Sequence, residues 1–335
     1  MSAVHIGQDT SSGGKMMSEL DRRNFLGLAA AGMFSAGAGK AAQAGDISMT
    51  DTAPSYALTR PAYVGHSHLA VTDLPTVSAY YQTMLGLKVL ERTASGEVLG
   101  TEGRPFLTLT TGGDIRRAPR NAPGLFHTAF LMPDRTELAR WLRHAAHNNV
   151  QLDGASDHIV SEAIYLSDPE GNGIEIYADR PHGEWTFHAD GTVEMATNRL
   201  DLQALYDSAP ADAWLGMADG TAIGHIHLQV GNIPEADRFY RDVLGLKIMA
   251  AYPGASFFAT GGYHHHVAAN IWNSRGAQAR TDTMSGLSDY TLQFNDTAAL
   301  EKAVARLDAL EIKATRDDGV WSLKDPWGIG LKLAA

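Results

Sequence analysis

The chain has 335 residues, room for two ordinary domains, and its 44% hydrophobic and 19% charged residues can bury a sizeable core. The 38 acidic against 27 basic side chains give a formal net charge of −11, which argues against nucleic-acid binding and adhesion to anionic membranes. With no cysteine, disulfides, iron–sulfur clusters, thiolate zinc and a thiol nucleophile are excluded, so any metal must sit among the 14 histidines and the carboxylates.

In chain order, Asp21-Arg22-Arg23-Asn24-Phe25-Leu26 precedes a mildly apolar Gly- and Ala-rich run, Gly27 to Ala38, and then Ala42-Gln43-Ala44. The run is too short and too weakly apolar to span roughly 30 Å of hydrocarbon. Paired arginines before such a run, followed by a small-x-small cleavage site, resemble a twin-arginine export signal. Residues 1–44 are therefore expected to direct export to the periplasm or beyond, with no membrane contact after cleavage. Residues 45–60 are expected to form a disordered lead-in.

The body of the chain repeats itself. His66-Ser67-His68-Leu69-Ala70-Val71 opens a stretch that ends Leu85-Gly86-Leu87-Lys88, and His225-Ile226-His227-Leu228-Gln229-Val230 opens another that ends Leu244-Gly245-Leu246-Lys247. Each reads as an alternating strand, a turn and an amphipathic helix that stops where glycine can cap it. A second kind of stretch begins at Phe126-His127, has a helix from about Arg135 to His147, and reaches Asp168-Pro169-Glu170-Gly171-Asn172-Gly173-Ile174-Glu175. Its later copy runs from Tyr290 through a helix near Thr297–Leu310 to Asp325-Pro326-Trp327-Gly328. Asp-Pro-x-Gly is a turn between strands, because Pro presets φ and Gly tolerates positive φ. Four strand–helix–strands modules result. The expected domains are 61–182 and 222–335, each a pair of consecutive modules, joined by a 183–221 linker with a helix around Arg199–Asp207.

These motifs resemble the vicinal oxygen chelate superfamily (glyoxalases, bleomycin resistance proteins and extradiol dioxygenases). The resemblance implies an α+β fold of four βαβββ modules in two pairs, each pair an open, cupped mixed sheet with flanking helices. Within that superfamily, Asp157-His158 through Tyr165 to Glu175, together with the later Gly261-Gly262-Tyr263-His264-His265-His266 run, is similar to two-domain bacterial catechol 2,3-dioxygenases.

Carried over residue by residue, the resemblance implies metal ligands His66, His127 and Glu175 in the 61–182 domain. Two neutral imidazoles and one carboxylate leave Fe(II) positively charged, with open positions for a diol and O2; Mn(II) is the alternative metal. Tyr165, ten residues before Glu175, is implied to hydrogen-bond a diol oxygen, and His158 is the candidate acid/base, since histidine exchanges protons near neutral pH. The expected activity is extradiol cleavage of a small aromatic diol by O2. The alternatives are a glyoxalase-type isomerase or lyase with Zn, Ni or Mn, and a metal-free sequestering protein. The oligomeric state stays open, a homo-oligomer included. The 222–335 domain is expected to hold no equivalent metal: the position matching Glu175 is Lys332, and that matching His127 falls near Asp289, which leaves His225 without partners. His264–His266, alternating in direction on a strand, are left out of the metal site.

Overall fold

Residues 54–335 are described in the computed structural model, and the expected export signal lies outside them. Part of the expected lead-in lies inside: Tyr56–Thr59 forms a 3-10 turn with Ala57 fully buried, so this part is ordered.

The first module comprises β1 (Ala62–Ala70), α1 (Leu74–Thr83), β2 (Lys88–Arg92), β3 (Gly96–Thr101) and β4 (Arg104–Thr110). Helix α1 starts where the Asp73 carboxylate accepts the Thr76 N–H and Pro75 occupies the first turn, which needs no N–H from it. The second module comprises β5 (Gly124–Leu131), α2 (Arg135–His147), β6 (Gly154–Asp157), β7 (Ser161–Ser167) and β8 (Gly173–Asp179). Helix α2 buries Leu138, Trp141, Leu142 and Ala145, one stripe at helical spacing. The connecting segment contributes β9 (Asn198–Arg199) and α3 (Leu202–Asp207). The third module follows with β10 (Ala222–Gln229), α4 (Ile233–Asp237), a π-helical continuation over Arg238–Val243, β11 (Lys247–Tyr252), β12 (Ala255–Ala259) and β13 (Val267–Asn270). The fourth comprises β14 (Gly286–Phe294), α5 (Thr297–Ala309), β15 (Thr315–Asp317), β16 (Val320–Lys324) and β17 (Gly330–Ala334).

Two mixed sheets result, a nine-stranded one in the order β11-β12-β13-β10-β5-β8-β7-β6-β9 and an eight-stranded one in the order β15-β16-β17-β14-β1-β4-β3-β2. Modules two and three therefore share one sheet, and modules one and four the other. This corrects the expected pairing of consecutive modules into a 61–182 and a 222–335 domain. The repeat shows only that each first strand needs an antiparallel partner of its own kind. The chain supplies four similar edges, and the connections decide which of them meet. The short β4–β5 and β13–β14 connections cross between sheets, whereas the long 183–221 segment stays with one sheet and adds β9 to its edge. One core joins the two sheets: Phe130 of one packs its ring 6.0 Å from Phe106 and 6.4 Å from Tyr81 of the other module pair.

Candidate metal centre

In the middle of the nine-stranded sheet, β5 lies between β10, to which it is antiparallel, and β8, to which it is parallel. Ala129 is the shared neighbour of His225 and Glu175, and His127 faces His227 across the β5–β10 ladder. Residues two apart on a strand share a face, so this register gathers His127, Glu175 and His225. His127 Nε2 lies 2.9 Å from Glu175 Oε2, His225 Nε2 lies 3.2 Å from the same oxygen, and the two Nε2 atoms are 3.3 Å apart. All three residues are buried. Two glycines make the approach feasible. A Cβ on Gly173 would stand 2.0 Å from the Phe126 carbonyl oxygen, and one on Gly224 would stand 1.8 Å from the Tyr177 hydroxyl.

The donor set fits a divalent cation. Three donors at right angles around an ion with bonds of about 2.1 Å stand roughly 3.0 Å apart, close to the spacings found here. Burial pulls His225 down to about 4 against the opposing pull of Glu175, so its imidazole is neutral at physiological pH. Burial alone would push Glu175 up, but the facing His225 and His127 outweigh it and hold the carboxylate well below its ordinary range. Among the described residues, this trio is the group of imidazoles and carboxylates whose ligand atoms converge.

His66 is elsewhere. It lies on β1 in the other sheet, where its Nε2 meets Thr108 Oγ1 at 2.8 Å. The structure thus brings together His127 and Glu175 of the expected set and places His225, not His66, beside them. The reason is the module pairing: His225 stands in its module where His66 stands in the first, but its module is the one that pairs with β5 and β8. The recurrence of His225 in the His66 register was the sequence signal, and reading the modules in consecutive pairs hid it. In the eight-stranded sheet the corresponding positions hold Asp289 and Lys332, whose carboxylate and ammonium meet at 2.8 Å, while His68 Nδ1 takes the other Asp289 oxygen at 2.8 Å. That network pairs its own charges and puts an ammonium where the first cup has Glu175.

Tyr165 sits opposite Glu175 in the β7–β8 ladder, its ring 5.6 Å from that of His127. Its hydroxyl is 2.6 Å from His158 Nε2, and His158 Nδ1 is 2.7 Å from the Ala196 carbonyl oxygen. A carbonyl only accepts, so Nδ1 carries the proton, and in the neutral imidazole Nε2 accepts the Tyr165 O–H. Burial, then the Glu175 charge, raises Tyr165 well above its ordinary range and keeps the phenol protonated. Asp157 accepts the Ile159 N–H and pairs with Arg180, which fixes the bend that carries His158.

The three consecutive histidines have three different partners. His264 Nε2 meets Asp179 at 2.9 Å, the His265 ring packs 4.0 Å from that of His225, and His266 Nε2 meets the Ala57 carbonyl oxygen at 3.2 Å. His227, whose ring lies 4.8 Å from that of His127, accepts a hydrogen bond from Asn270 at its Nε2. Ala57, Tyr177, Trp185 and Tyr263 belong to one apolar cluster, with the Tyr177 ring 5.0 Å from that of His225, and Phe126, Phe257 and Trp272 pack around His227.

The sequence model of the Glyoxalase/Bleomycin resistance protein/Dioxygenase superfamily matches this chain twice, over residues 63–176 and 222–333. A curated relative, the catechol-2,3-dioxygenase of Bacillus subtilis (strain 168), is 35% identical over 268 residues, covering 79% of this chain and 94% of that protein. Among solved structures, a Bacillus subtilis protein described provisionally as a dioxygenase superposes with a TM-score of 0.57 at 15% identity, covering 81% of this chain and 84% of that one. Glyoxalase I from Zea mays superposes with a TM-score of 0.50 at 16% identity, covering 83% of this chain and 94% of that one. At those identities the two structures bear on the fold alone. Two family matches that between them take in all four modules, and the extensive identity to a curated relative, settle the classification: the chain belongs to the Glyoxalase/Bleomycin resistance protein/Dioxygenase superfamily.

Proposed function

We propose that this chain is an extradiol ring-cleaving dioxygenase that acts on a catechol-like diol with O2 at a mononuclear Fe(II) site held by His127, Glu175 and His225. The observation that carries it is the convergence of that trio beside the Tyr165–His158 pair, in a chain 35% identical to a Bacillus catechol-2,3-dioxygenase. When bound, Fe(II) supplies a Lewis acid for a chelating diolate and an electron donor for O2, with coordination positions beyond the three protein ligands.

The chain's own residues handle the protons and exclude water. Tyr165, oriented by its hydrogen bond to His158 Nε2, offers its oxygen lone pairs to a diol hydroxyl. As that hydroxyl ionises, its proton passes to the Tyr165 oxygen while the phenolic proton moves to His158 Nε2. The resulting imidazolium keeps its Nδ1 proton on the Ala196 carbonyl. Burial of all three ligands keeps bulk water from the reacting oxygens.

The test is elemental analysis of anaerobically purified protein, followed by catechol and O2 with absorbance of a yellow semialdehyde monitored. Iron at one per chain with yellow product is expected. Zinc with a colourless mixture would instead favour a metal-dependent isomerase. Twin-arginine export belongs to the same proposal: changing Arg22 and Arg23 to Lys together should leave uncleaved protein in the cytoplasm, and normal periplasmic appearance of that variant would remove this part.

A further inference from the structure

Six large hydrophobic side chains stand exposed among the described residues, and two of them, Trp272 at 51% and Tyr252 at 38%, belong to one aromatic series leading to the trio. Tyr252 packs 5.6 Å from Phe257, Phe257 lies 5.7 Å from His227, His227 lies 5.5 Å from Trp272, and Trp272 lies 5.3 Å from Phe126. Phe126 is in turn 5.4 Å from His127. These rings come from β5, β10, β11, β12 and the residues after β13, so five separate segments converge on one spot.

The collar is held in place. Asn270 accepts the Trp272 N–H with its side-chain oxygen and donates its amide N–H to His227 Nε2, tying the Trp272 backbone to the histidine beside the trio. Aromatic side chains commonly line the mouths of ligand sites, where they meet a ligand's apolar part.

We infer that Phe126, Tyr252, Phe257 and Trp272 form a vestibule that selects an uncharged diol carrying an apolar substituent over a diol carrying a carboxylate. This inference rests on the dioxygenase reading and adds the substrate class to it. A diol that reaches the trio with its two oxygens directs its far ring edge back toward these side chains. An alkyl or aryl group there replaces water on aromatic faces, whereas a carboxylate would lose hydration against them without gaining a partner.

The experiment compares binding of 4-tert-butylcatechol, catechol, 3,4-dihydroxybenzoate and 4-tert-butylphenol to the iron-loaded protein under anaerobic conditions, by calorimetry, with wild type and Trp272→Ala. Wild type should bind 4-tert-butylcatechol roughly tenfold tighter than catechol and should bind 3,4-dihydroxybenzoate more weakly than either. Trp272→Ala should reduce the tert-butyl preference to about threefold or less, and Trp272→Lys should improve 3,4-dihydroxybenzoate relative to 4-tert-butylcatechol. An unchanged preference in Trp272→Ala, or a wild type that binds the carboxylated diol as well as the alkylated one, overturns the vestibule and leaves the dioxygenase reading standing. The phenol separates the two readings from the other side. If no diol binds more tightly than 4-tert-butylphenol, yet the phenol binds in a Trp272-dependent way, the vestibule stands and the diol chemistry falls.

Discussion

At the scale of single residues, the site rests on three buried donors, His127 and Glu175 of the second module and His225 of the third. The Asp168 to Glu175 motif marks the turn into a module's last strand, and Phe126-His127 lies near the start of its first, so the family resemblance could be carried onto His127 and Glu175 within one module. His158, in the turn between β6 and β7, and Tyr165, on β7, precede Glu175 in the chain, and the Tyr165 hydroxyl stands 2.6 Å from His158 Nε2. The third position depends on which module lies alongside, a long-range fact that no local motif encodes. Two predictions belong here. Glu175→Gln should lower metal affinity at least tenfold with the fold retained, because it replaces the only anionic donor among the three; unchanged metal content and turnover would contradict the assignment. Tyr165→Phe should leave metal content intact and lower kcat by about 10²-fold, the usual loss when a positioned proton-transfer group is removed. A kcat within twofold of wild type would remove Tyr165 from the proton path.

At the scale of elements, local rules account for most of what forms. Helix α2 lies where the apolar spacing put it, and Asp134 accepts the Glu137 N–H at its start. The Asp-Pro-x-Gly turns also follow from their residues: Gly171 and Gly328 take φ of 86° and 81°, and the Asp168 and Asp325 carboxylates each collect two backbone N–H groups. Sequence could not show that Asp325 is almost wholly buried. Burial raises it from 3.8 to about 6, despite the N–H groups and the Tyr240 hydroxyl that favour the charged form. Because its folded value lies above the unfolded one, its contribution to stability is full below about pH 3.8 and is lost as pH rises through about 6. Asp325→Asn has no charge to desolvate, so its unfolding free energy should gain on wild type by on the order of 3 kcal/mol between pH 4 and pH 7. Parallel pH profiles of the two proteins in denaturant titrations would contradict this. Trp141, fully buried with its Nε1–H donated to the Met84 carbonyl, should cost about 3–5 kcal/mol when changed to Ala, measured the same way; a loss under 1 kcal/mol would mean the site collapses around the gap.

At the scale of the whole molecule, the outer modules share one sheet and the inner modules the other, so neither half of the chain contains a complete cup. The β1–β14 and β5–β10 ladders both join residues from the first half to residues from the second. One of these pairings builds a candidate metal centre, and the other builds the polar network in which Asp289 meets both His68 and Lys332. The fold class was legible because a repeated module that leaves a sheet edge open must pair. The order of pairing was not, because modules of one kind present equivalent edges, and consecutive pairing is only the simplest arrangement. The central claim is therefore that metal binding needs His225 from the third module and does not need His66 from the first. It is tested by iron content per chain, after anaerobic loading, of wild type, His66→Ala and His225→Ala, each first verified as folded by circular dichroism. One iron in wild type, one in His66→Ala and none in His225→Ala is the expected result; iron retained by folded His225→Ala and lost from folded His66→Ala would contradict it.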